Sequence, residues 1–232
     1  MKIHLTIVLA VISLLVGCAP KPIPTPSPSV VVEPKLEASL VSRPGPAQLI
    51  LKGQTLGQTP RKVMVASLDE VFQITAAQNQ EQPTETRIRV ISDTSAEVTF
   101  LFGQGLSPMA KVLGLPRILV FDYGSALTFA LDKFDLSPTF KRSLDRQAEL
   151  LTHHFSGIHL FICGHTDQTG RESHNAVLAL RRAEVVTDYL VQKGVSKTLI
   201  NTQGFGSAYP VAGNDTPAGR ALNRRTEIIL PQ

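Results

Sequence analysis

The distribution of proline constrains this chain more than any other feature of its sequence. Eight of the 16 prolines lie between Pro20 and Pro46, and at the start of this stretch proline occupies every second position. Proline removes a backbone donor and fixes φ, so this segment is expected to stay extended and not to pack as helix or sheet. The sequence therefore predicts a linker over residues 18–46, with the folded parts beginning at residue 47.

The residues before this linker have the pattern of an export signal. Lys2 is followed by a mostly apolar run, Ile3–Val16. That run is shorter than the ~20 residues that span a bilayer, which favours a cleaved signal peptide over residues 1–17.

The end of the apolar run resembles the lipobox of bacterial lipoproteins, because Leu15 and Val16 are followed by Gly17 and Cys18. The resemblance implies that Cys18 becomes the first residue of the mature protein and carries lipid on its sulfur. An ordinary signal peptide with a chance cysteine is the alternative. Ala19 stands where many inner-membrane lipoproteins have Asp, which by resemblance favours the outer membrane, with the protein facing the periplasm.

Composition excludes several classes of function. With 43% hydrophobic residues in 232, the chain can bury a real core, and its two cysteines exclude a disulfide framework or a four-thiolate metal site. The net charge is +4, but no run of Lys or Arg exceeds two residues and aromatic residues are not interleaved with them. We therefore expect no nucleic-acid partner.

Residues 47–102 alternate in the manner of short strands separated by turns. Gly53, Gly57 and the pair Thr59-Pro60 give this segment a G-x-x-x-G-x-T-P pattern that resembles a PEGA-type domain. We predict a small all-β module here, and a second linker over residues 103–116. The predicted strands are Ala47–Leu51, Val63–Val65, Val71–Thr75, Arg87–Ile91 and Val98–Phe102.

Residues 117–232 show the periodicity of alternating strands and helices. One helix of about eighteen residues is expected with Ser137 as its N-cap and Pro138 as its first residue. A second is expected over Glu172–Lys193, ending at Gly194. The order β-α-β-α-β-β predicts an α+β domain with two helices on one face of a mixed sheet. The predicted strands are Ile118–Phe121, Leu127–Leu131, Ile158–Cys163, Leu199–Phe205 and Thr226–Leu230.

A charged and polar constellation lies where the third of these strands ends and the second helix begins. Asp167 lies in the loop, and Asn175 and Arg182 are seven residues apart, on one helix face. A carboxylate and a guanidinium in one cleft suit a zwitterion, with Asp167 taking an ammonium and Arg182 gripping a carboxylate. A structural salt bridge between the two is the alternative.

The motif G-H-T-D-x-x-G over residues 164–170, with N-x-x-L-x-x-x-R-A over residues 175–183, resembles the OmpA C-terminal domain. Peptidoglycan-associated lipoproteins and the periplasmic part of MotB proteins share this domain, and the resemblance covers roughly residues 117–231. It implies non-covalent binding of peptidoglycan through the diaminopimelate of the stem peptide. It also implies that Asp167 and Arg182 are the ligand pair, with Thr166 and Asn175 at motif positions beside them.

Two further residues bear on the rim of this site. Asp132 stands near the position where the family often has Asn, and we expect it to take that role. Arg224 and Arg225 point to opposite faces if they are in a strand, so at most one faces the cleft and the other is expected to be solvated.

We expect no metal, no cofactor and no catalysis. His159, Cys163, His165, Asp167 and His174 are close in sequence but lack the paired spacing of zinc sites. Asp132 with Asp167 is the only candidate pair of catalytic carboxylates. The predicted function is an outer-membrane lipoprotein that tethers the membrane to the cell wall. The alternative is a structural subunit of an envelope-spanning secretion or motility complex, with proteins of that complex as partners.

Overall fold

The computed structural model describes residues 35–92, 94–123, 129 and 132–232. The predicted signal peptide, Cys18 and most of the first linker lie outside the described residues, as does the predicted strand Leu127–Leu131 apart from Phe129. All the described residues belong to one compact unit. No helix among the described residues is both long enough and apolar enough to cross a membrane.

The described residues form strands and helices that we number along the chain. The strands are β1 (Leu36–Arg43), β2 (Gln48–Leu51), β3 (Gln54–Gln58), β4 (Arg61–Val65), β5 (Ile74–Ala77), β6 (Glu85–Ser92), β7 (Ser95–Leu101), β8 (Ile118–Tyr123), β9 (Leu160–Gly164), β10 (Ile200–Gly204) and β11 (Thr226–Pro231). The helices are α1 (Leu68–Phe72), α2 (Pro108–Leu113), α3 (Pro138–His154), α4 (Glu172–Gln192) and α5 (Pro217–Asn223).

One mixed sheet of eight strands runs through both halves of the chain, in the order β10-β9-β11-β8-β6-β7-β1-β4. The two halves meet where β6 pairs in parallel with β8, from Glu85 opposite Ile118 to Val90 opposite Tyr123. A second sheet, in the order β3-β2-β5, belongs to the N-terminal half. The strands of the predicted module therefore extend the sheet of the C-terminal half.

The sequence-based predictions lack five of the described elements, which are β1, β3, α1, α2 and α5. Strand β1 lies inside the predicted linker, because its apolar residues alternate and its inward side chains, among them Ala38 and Leu40, are buried. Helix α1 replaces the start of the predicted strand Val71–Thr75, with two acidic residues in its first turn that favour a helix. The predicted second linker contains α2, which Ser107 caps by accepting a hydrogen bond from the Ala110 amide at 3.2 Å.

The two long helices agree with their predicted start and stop residues. Ser137 caps α3 by accepting from the Phe140 amide at 3.0 Å, and Pro138 is the first residue of this 17-residue helix. Helix α4 ends at Gln192, and Gly194 follows with a φ of 100°. Gly194 thus marks the C-terminal end of the helix that carries Asn175 and Arg182, whereas its start after Arg171 has no side-chain cap.

Alternate side chains of the sheet enter two different layers. Leu119, Phe121 and Tyr123 of β8 face the main core, where they pack with residues of α3 and α4 such as Phe140. Ile118 and its neighbours on the opposite face pack with α2 in a smaller cluster. The prediction of two helices on one face of a mixed sheet is therefore confirmed.

Helix α4 lies directly against the ends of β9 and β10, because both strands end in glycine. A Cβ atom on Gly164 would lie 2.0 Å from the Ala179 carbonyl oxygen, and one on Gly204 would lie 2.4 Å from the Leu180 amide nitrogen. Only glycine permits this approach. It holds the polar face of α4 beside the loop that follows β9.

Candidate functional site

A cavity of about 210 Å³ lies at the carboxyl end of β9, between the following loop and α4. All five residues that the sequence predicts for the ligand site line this cavity. They are joined there by other polar residues, among them Arg224, which comes from the turn before β11. The lining residues are Asp132, Thr166, Asp167, Thr169, Gly170, His174, Asn175, Leu178, Arg182 and Arg224.

The backbone of the loop that carries Asp167 is held by hydrogen bonds to residues outside the loop. The Thr166 amide donates to the Gly206 carbonyl at 2.8 Å, and the Asn175 side-chain amide donates to the carbonyls of Asp167 at 3.3 Å and Thr169 at 3.0 Å. Asn175 is 4% exposed. Its amide therefore fixes the loop, and its contact with a ligand stays a prediction.

Asp167 is paired with Arg224 in this structure. Arg224 donates from Nη1 to Asp167 Oδ2 at 2.6 Å, while the Thr169 amide donates to Oδ1 at 2.8 Å and the Thr169 hydroxyl donates to the same oxygen. Burial opposes ionisation of the carboxyl, but the hydrogen bonds from Thr169 and Arg224 outweigh it and hold the pKa of Asp167 below its ordinary value. Asp167 is therefore an anion at neutral pH.

Arg182 is a buried cation that lines the same cavity. It is 2% exposed, donates from Nε to the Lys133 carbonyl at 3.0 Å, and has its guanidinium carbon 5.1 Å from the centre of the Phe129 ring. Burial and the nearby charge of Arg224 lower its pKa to about 10, against the opposing effect of Asp132 and Asp167. The guanidinium thus remains charged at neutral pH, and an anionic group beside it would be stabilised.

Two further polar groups complete the cavity. The Thr166 hydroxyl, on a residue that is 5% exposed, has no hydrogen-bond partner among the described residues. At the rim, Asp132 has a φ of 55° and its Oδ1 lies 2.7 Å from His174 Nε2. The cavity therefore offers a carboxylate rim, a buried hydroxyl and a buried cation.

The sequence leaves open which of Arg224 and Arg225 faces the cavity, and it does not single out Thr169, which also lines it. As predicted, only one of Arg224 and Arg225 faces the cavity. The expectation that the other is solvated is wrong: Arg225 is 1% exposed and donates from Nε to Glu227 Oε1 at 2.7 Å. The register of β11 places its charged side chains in the buried layer on the face opposite α3 and α4.

Arg225 belongs to a buried network of charges behind the cavity. Arg87 of β6 donates to Glu227 Oε1 at 2.5 Å, to Asp122 Oδ2 at 3.2 Å and to Glu85 Oε1 at 2.7 Å. Burial alone would lower the pKa of Arg87, but these three carboxylates raise it above its ordinary value. Burial alone would raise the pKa of Glu227, but the charges of Arg225 and Arg87 lower it below its ordinary value. The network connects the strand contributed by the N-terminal half to the two strands beside the site.

The His and Cys residues that are close together in the sequence near the site make other contacts in the fold. His165 is 1% exposed and stacks on Phe205 with ring centres 5.6 Å apart; burial and Arg225 lower its pKa, so the ring is neutral. Cys163 is a buried thiol whose pKa is raised by burial. The part of the chain that the structure describes holds no group of three or more His, Cys, Asp or Glu side chains arranged for a metal ion.

Comparison with known proteins gives a match in the same part of the chain. The chain is 42% identical to the peptidoglycan-binding protein ArfA of Mycobacterium tuberculosis over 107 residues, which are 46% of this chain and 32% of that protein. It is 36% identical to the putative lipoprotein YfiB of Escherichia coli over 107 residues, which are 45% of this chain and 66% of that protein.

Among solved structures, the periplasmic domain of Helicobacter pylori MotB matches with 26% identity and a TM-score of 0.45, covering 49% of this chain and 75% of that one. The chain thus spans about a third of ArfA and about two thirds of YfiB.

The model of the OmpA family matches residues 128–224, which include every residue that lines the cavity. These residues are therefore an OmpA family domain, as the motifs of the sequence predict.

Proposed function

We propose that this chain binds peptidoglycan non-covalently, through the diaminopimelate of the stem peptide, in the cavity between α4 and the loop after β9. The observation that carries the proposal is that a buried anion, Asp167, and a buried cation, Arg182, line one cavity of about 210 Å³. A zwitterionic amino-acid centre presents an ammonium and a carboxylate on one carbon, and so matches both charges at once.

Each end of the zwitterion has a defined environment. The ligand's carboxylate accepts from Arg182, whose charge is buried. Its ammonium approaches Asp167 and the rim carboxylate of Asp132, and it shares Asp167 with Arg224, the cation already hydrogen-bonded there. The Thr166 hydroxyl supplies a hydrogen-bonding group within the cavity. The similarity to ArfA, a peptidoglycan-binding protein, and to YfiB, a putative lipoprotein, supports this proposal.

Binding without catalysis fits the lowered pKa of Asp167 better than glycoside hydrolysis does. A general acid needs a raised pKa, whereas hydrogen bonds lower the pKa of Asp167. Asp132, the other carboxylate of the cavity, is exposed beside His174. Asp167 therefore lacks the environment of a proton donor at neutral pH.

The proposal extends to the place of the protein in the cell. The lipobox-like Leu15-Val16-Gly17-Cys18 supports a lipid on Cys18, and Ala19 supports the outer membrane, so that the chain would tether that membrane to the wall from the periplasm. A Cys18→Ser variant is expected to leave the membrane fraction. Its persistence there would show that the apolar segment itself is the anchor.

A subunit of an envelope-spanning complex is the second candidate, with proteins of that complex as additional partners. It is favoured by the exposed edge of the eight-stranded sheet, where β4 has one neighbouring strand among those described and Met64 is 57% exposed. A tether alone needs no such edge.

The test of peptidoglycan binding is co-sedimentation with isolated sacculi. Arg182→Ala is expected to weaken binding at least about thirty-fold, or roughly 2–5 kcal/mol. The substitution leaves the ligand's carboxylate desolvated without its charged partner. Arg181→Ala is the matched control, since the side chain of Arg181 is 63% exposed and pairs with Glu184. This control should sediment like the unmodified protein.

A second arm separates loss of binding from loss of folding. The free energy of unfolding of both variants is measured in urea. A third variant, Arg182→Lys, keeps the positive charge but loses the guanidinium geometry. Sacculi with amidated diaminopimelate lack the carboxylate and should bind the unmodified protein weakly. Equal sedimentation of folded Arg182→Ala and the unmodified protein would contradict the proposal.

A further inference from the structure

A second groove adjoins the cavity on the same side of the domain. It has a volume of about 500 Å³ and runs between the loop after residue 132 and the C-terminal half of α4. Phe134, which is 45% exposed, and Leu136 form one side of it, and Val185, Tyr189 and the polar side chains of Asp188 and Gln192 form the other. Its size falls within the range of small-ligand sites, roughly 300–1,000 Å³.

The groove continues the stripe of α4 that lines the cavity. Leu178 and Arg182 line the cavity, and Val185 and Tyr189 line the groove. These four positions are spaced by four, three and four residues and therefore share one helix face. From Leu178 to Val185 the helix rises about 10 Å. The groove thus begins about 10 Å along α4 from Leu178, which lines the cavity.

The same loop borders both depressions. Asp132 lines the cavity, Phe134 lines the groove, and the Lys133 carbonyl between them accepts from Arg182 Nε at 3.0 Å. The backbone at residue 133 is therefore fixed to α4 at the boundary between the two. A ligand seated at Arg182 that extends along α4 would pass directly beside the Phe134 ring.

The chemistry of peptidoglycan identifies what would lie there. Diaminopimelate is the third residue of a stem peptide whose first residue is joined to an amino sugar, and the two intervening residues span about 7 Å. An exposed aromatic ring packs against the apolar face of a sugar. A carboxylate such as that of Asp188 accepts from its hydroxyls, and an amide such as that of Gln192 pairs with its acetamido group.

We propose that this groove is a subsite for an N-acetylated amino sugar of the glycan strand whose stem peptide occupies the cavity. The subsite rests on the proposed function, since it needs diaminopimelate in the cavity beside it. With this subsite, the domain would bind a stem peptide that is still attached to its sugar more tightly than a free stem peptide.

Calorimetric titration of the full chain in detergent tests the subsite with two probes. One probe is the free stem tripeptide ending in diaminopimelate, and the other is the same tripeptide attached to its disaccharide. The disaccharide is expected to tighten binding about tenfold. Phe134→Ala should abolish this gain and leave the affinity for the free tripeptide unchanged. Met64→Ala, which truncates another exposed hydrophobic side chain, on β4, should keep the gain.

Three outcomes would overturn the subsite: equal affinity of the unmodified protein for both probes, an undiminished gain in Phe134→Ala, or the same gain from a sugar-free cross-linked peptide. In each of these the tripeptide still binds, so the proposed function stands. Failure of the unmodified protein to bind either probe would instead overturn the proposed function together with the subsite.

Discussion

At the scale of single residues, Asn175 shows how the site is held in shape. Its amide donates to two carbonyls of the loop that carries Asp167, and it is almost fully buried. A buried acceptor that loses its donor costs roughly 1–3 kcal/mol. The geometry of the Asp167 carboxylate therefore depends on a neutral side chain one helical turn into α4.

The substitution Asn175→Asp tests this dependence, because it keeps the shape and replaces the donor by an acceptor. We expect the free energy of unfolding in urea to fall by about 1–3 kcal/mol, with weaker binding to sacculi. Asn201→Asp, on the exposed part of β10, is the control and should change neither quantity. Identical unfolding midpoints for Asn175→Asp and the unmodified protein would contradict the role of this amide.

Sequence reasoning found the residues of the site that are close along the chain. Asp167, Asn175 and Arg182 lie within one loop and the following helix, so their spacing predicted that they share a cleft. Arg224 is 57 residues from Asp167, and the two are brought together by the antiparallel pairing of β11 with β9. No local pattern contains that register, so the partner of Asp167 could not be predicted.

At the scale of elements, the position of α4 depends on close contact with the strands beneath it. The gap between Gly164 and the Ala179 carbonyl leaves no room for a methyl group. The helix that carries Arg182 is therefore placed by the absence of a side chain. A methyl group at this point would displace α4 away from the loop and widen the cavity.

Gly164→Ala is expected to destabilise the domain by about 1–3 kcal/mol, the usual cost of overpacking a core, and to weaken sacculus binding. Urea unfolding measures the first effect. Gly105→Ala is the matched control, because a Cβ on Gly105 meets nothing within 4 Å. If Gly164→Ala proves as stable as the control, the helix is not held by this contact.

Elements with their own caps and periodicity were predictable, and those that depend on neighbours were not. Helix α3 has both a serine cap and a following proline, so its start was predicted to the residue. Strand β1 was missed because prolines flank it in sequence, while its stability comes from pairing with β7 and β4. That pairing outweighs the local tendency of the segment to stay extended and unpaired.

At the scale of the whole molecule, buried charges join the two halves of the chain. Arg87 is supplied by β6 of the N-terminal half, while Asp122 and Glu227 lie on β8 and β11 of the C-terminal half. Both carboxylates are fully buried and depend on this guanidinium for part of their compensation. Strands β6 and β8 also share a ladder of hydrogen bonds. We therefore expect the two halves to unfold together.

Arg87→Met tests this coupling by removing the shared cation while keeping most of the side-chain volume. The substitution is expected to destabilise the folded protein by about 3–5 kcal/mol, because carboxylates remain buried without compensation. Arg61→Met, at an exposed position of β4, is the control and should have little effect. A single cooperative transition in calorimetry is expected for the unmodified protein, and two separate transitions would show independent halves.

The order of strands also fixes where the chain and the ligand leave the domain. The first residues of β1 and the last residues of β9 lie at the same end of the strands. The pairings across the sheet, from Gly164 opposite Thr226 to Glu37 opposite Ser95, place them there. Five steps between neighbouring strands, of about 4.8 Å each, separate the two points by about 24 Å. If the N-terminus is anchored and the cavity holds the wall, as we propose, a pulling force would act across the sheet and not along it. The number of strands between the two points would then contribute to the spacing between membrane and wall.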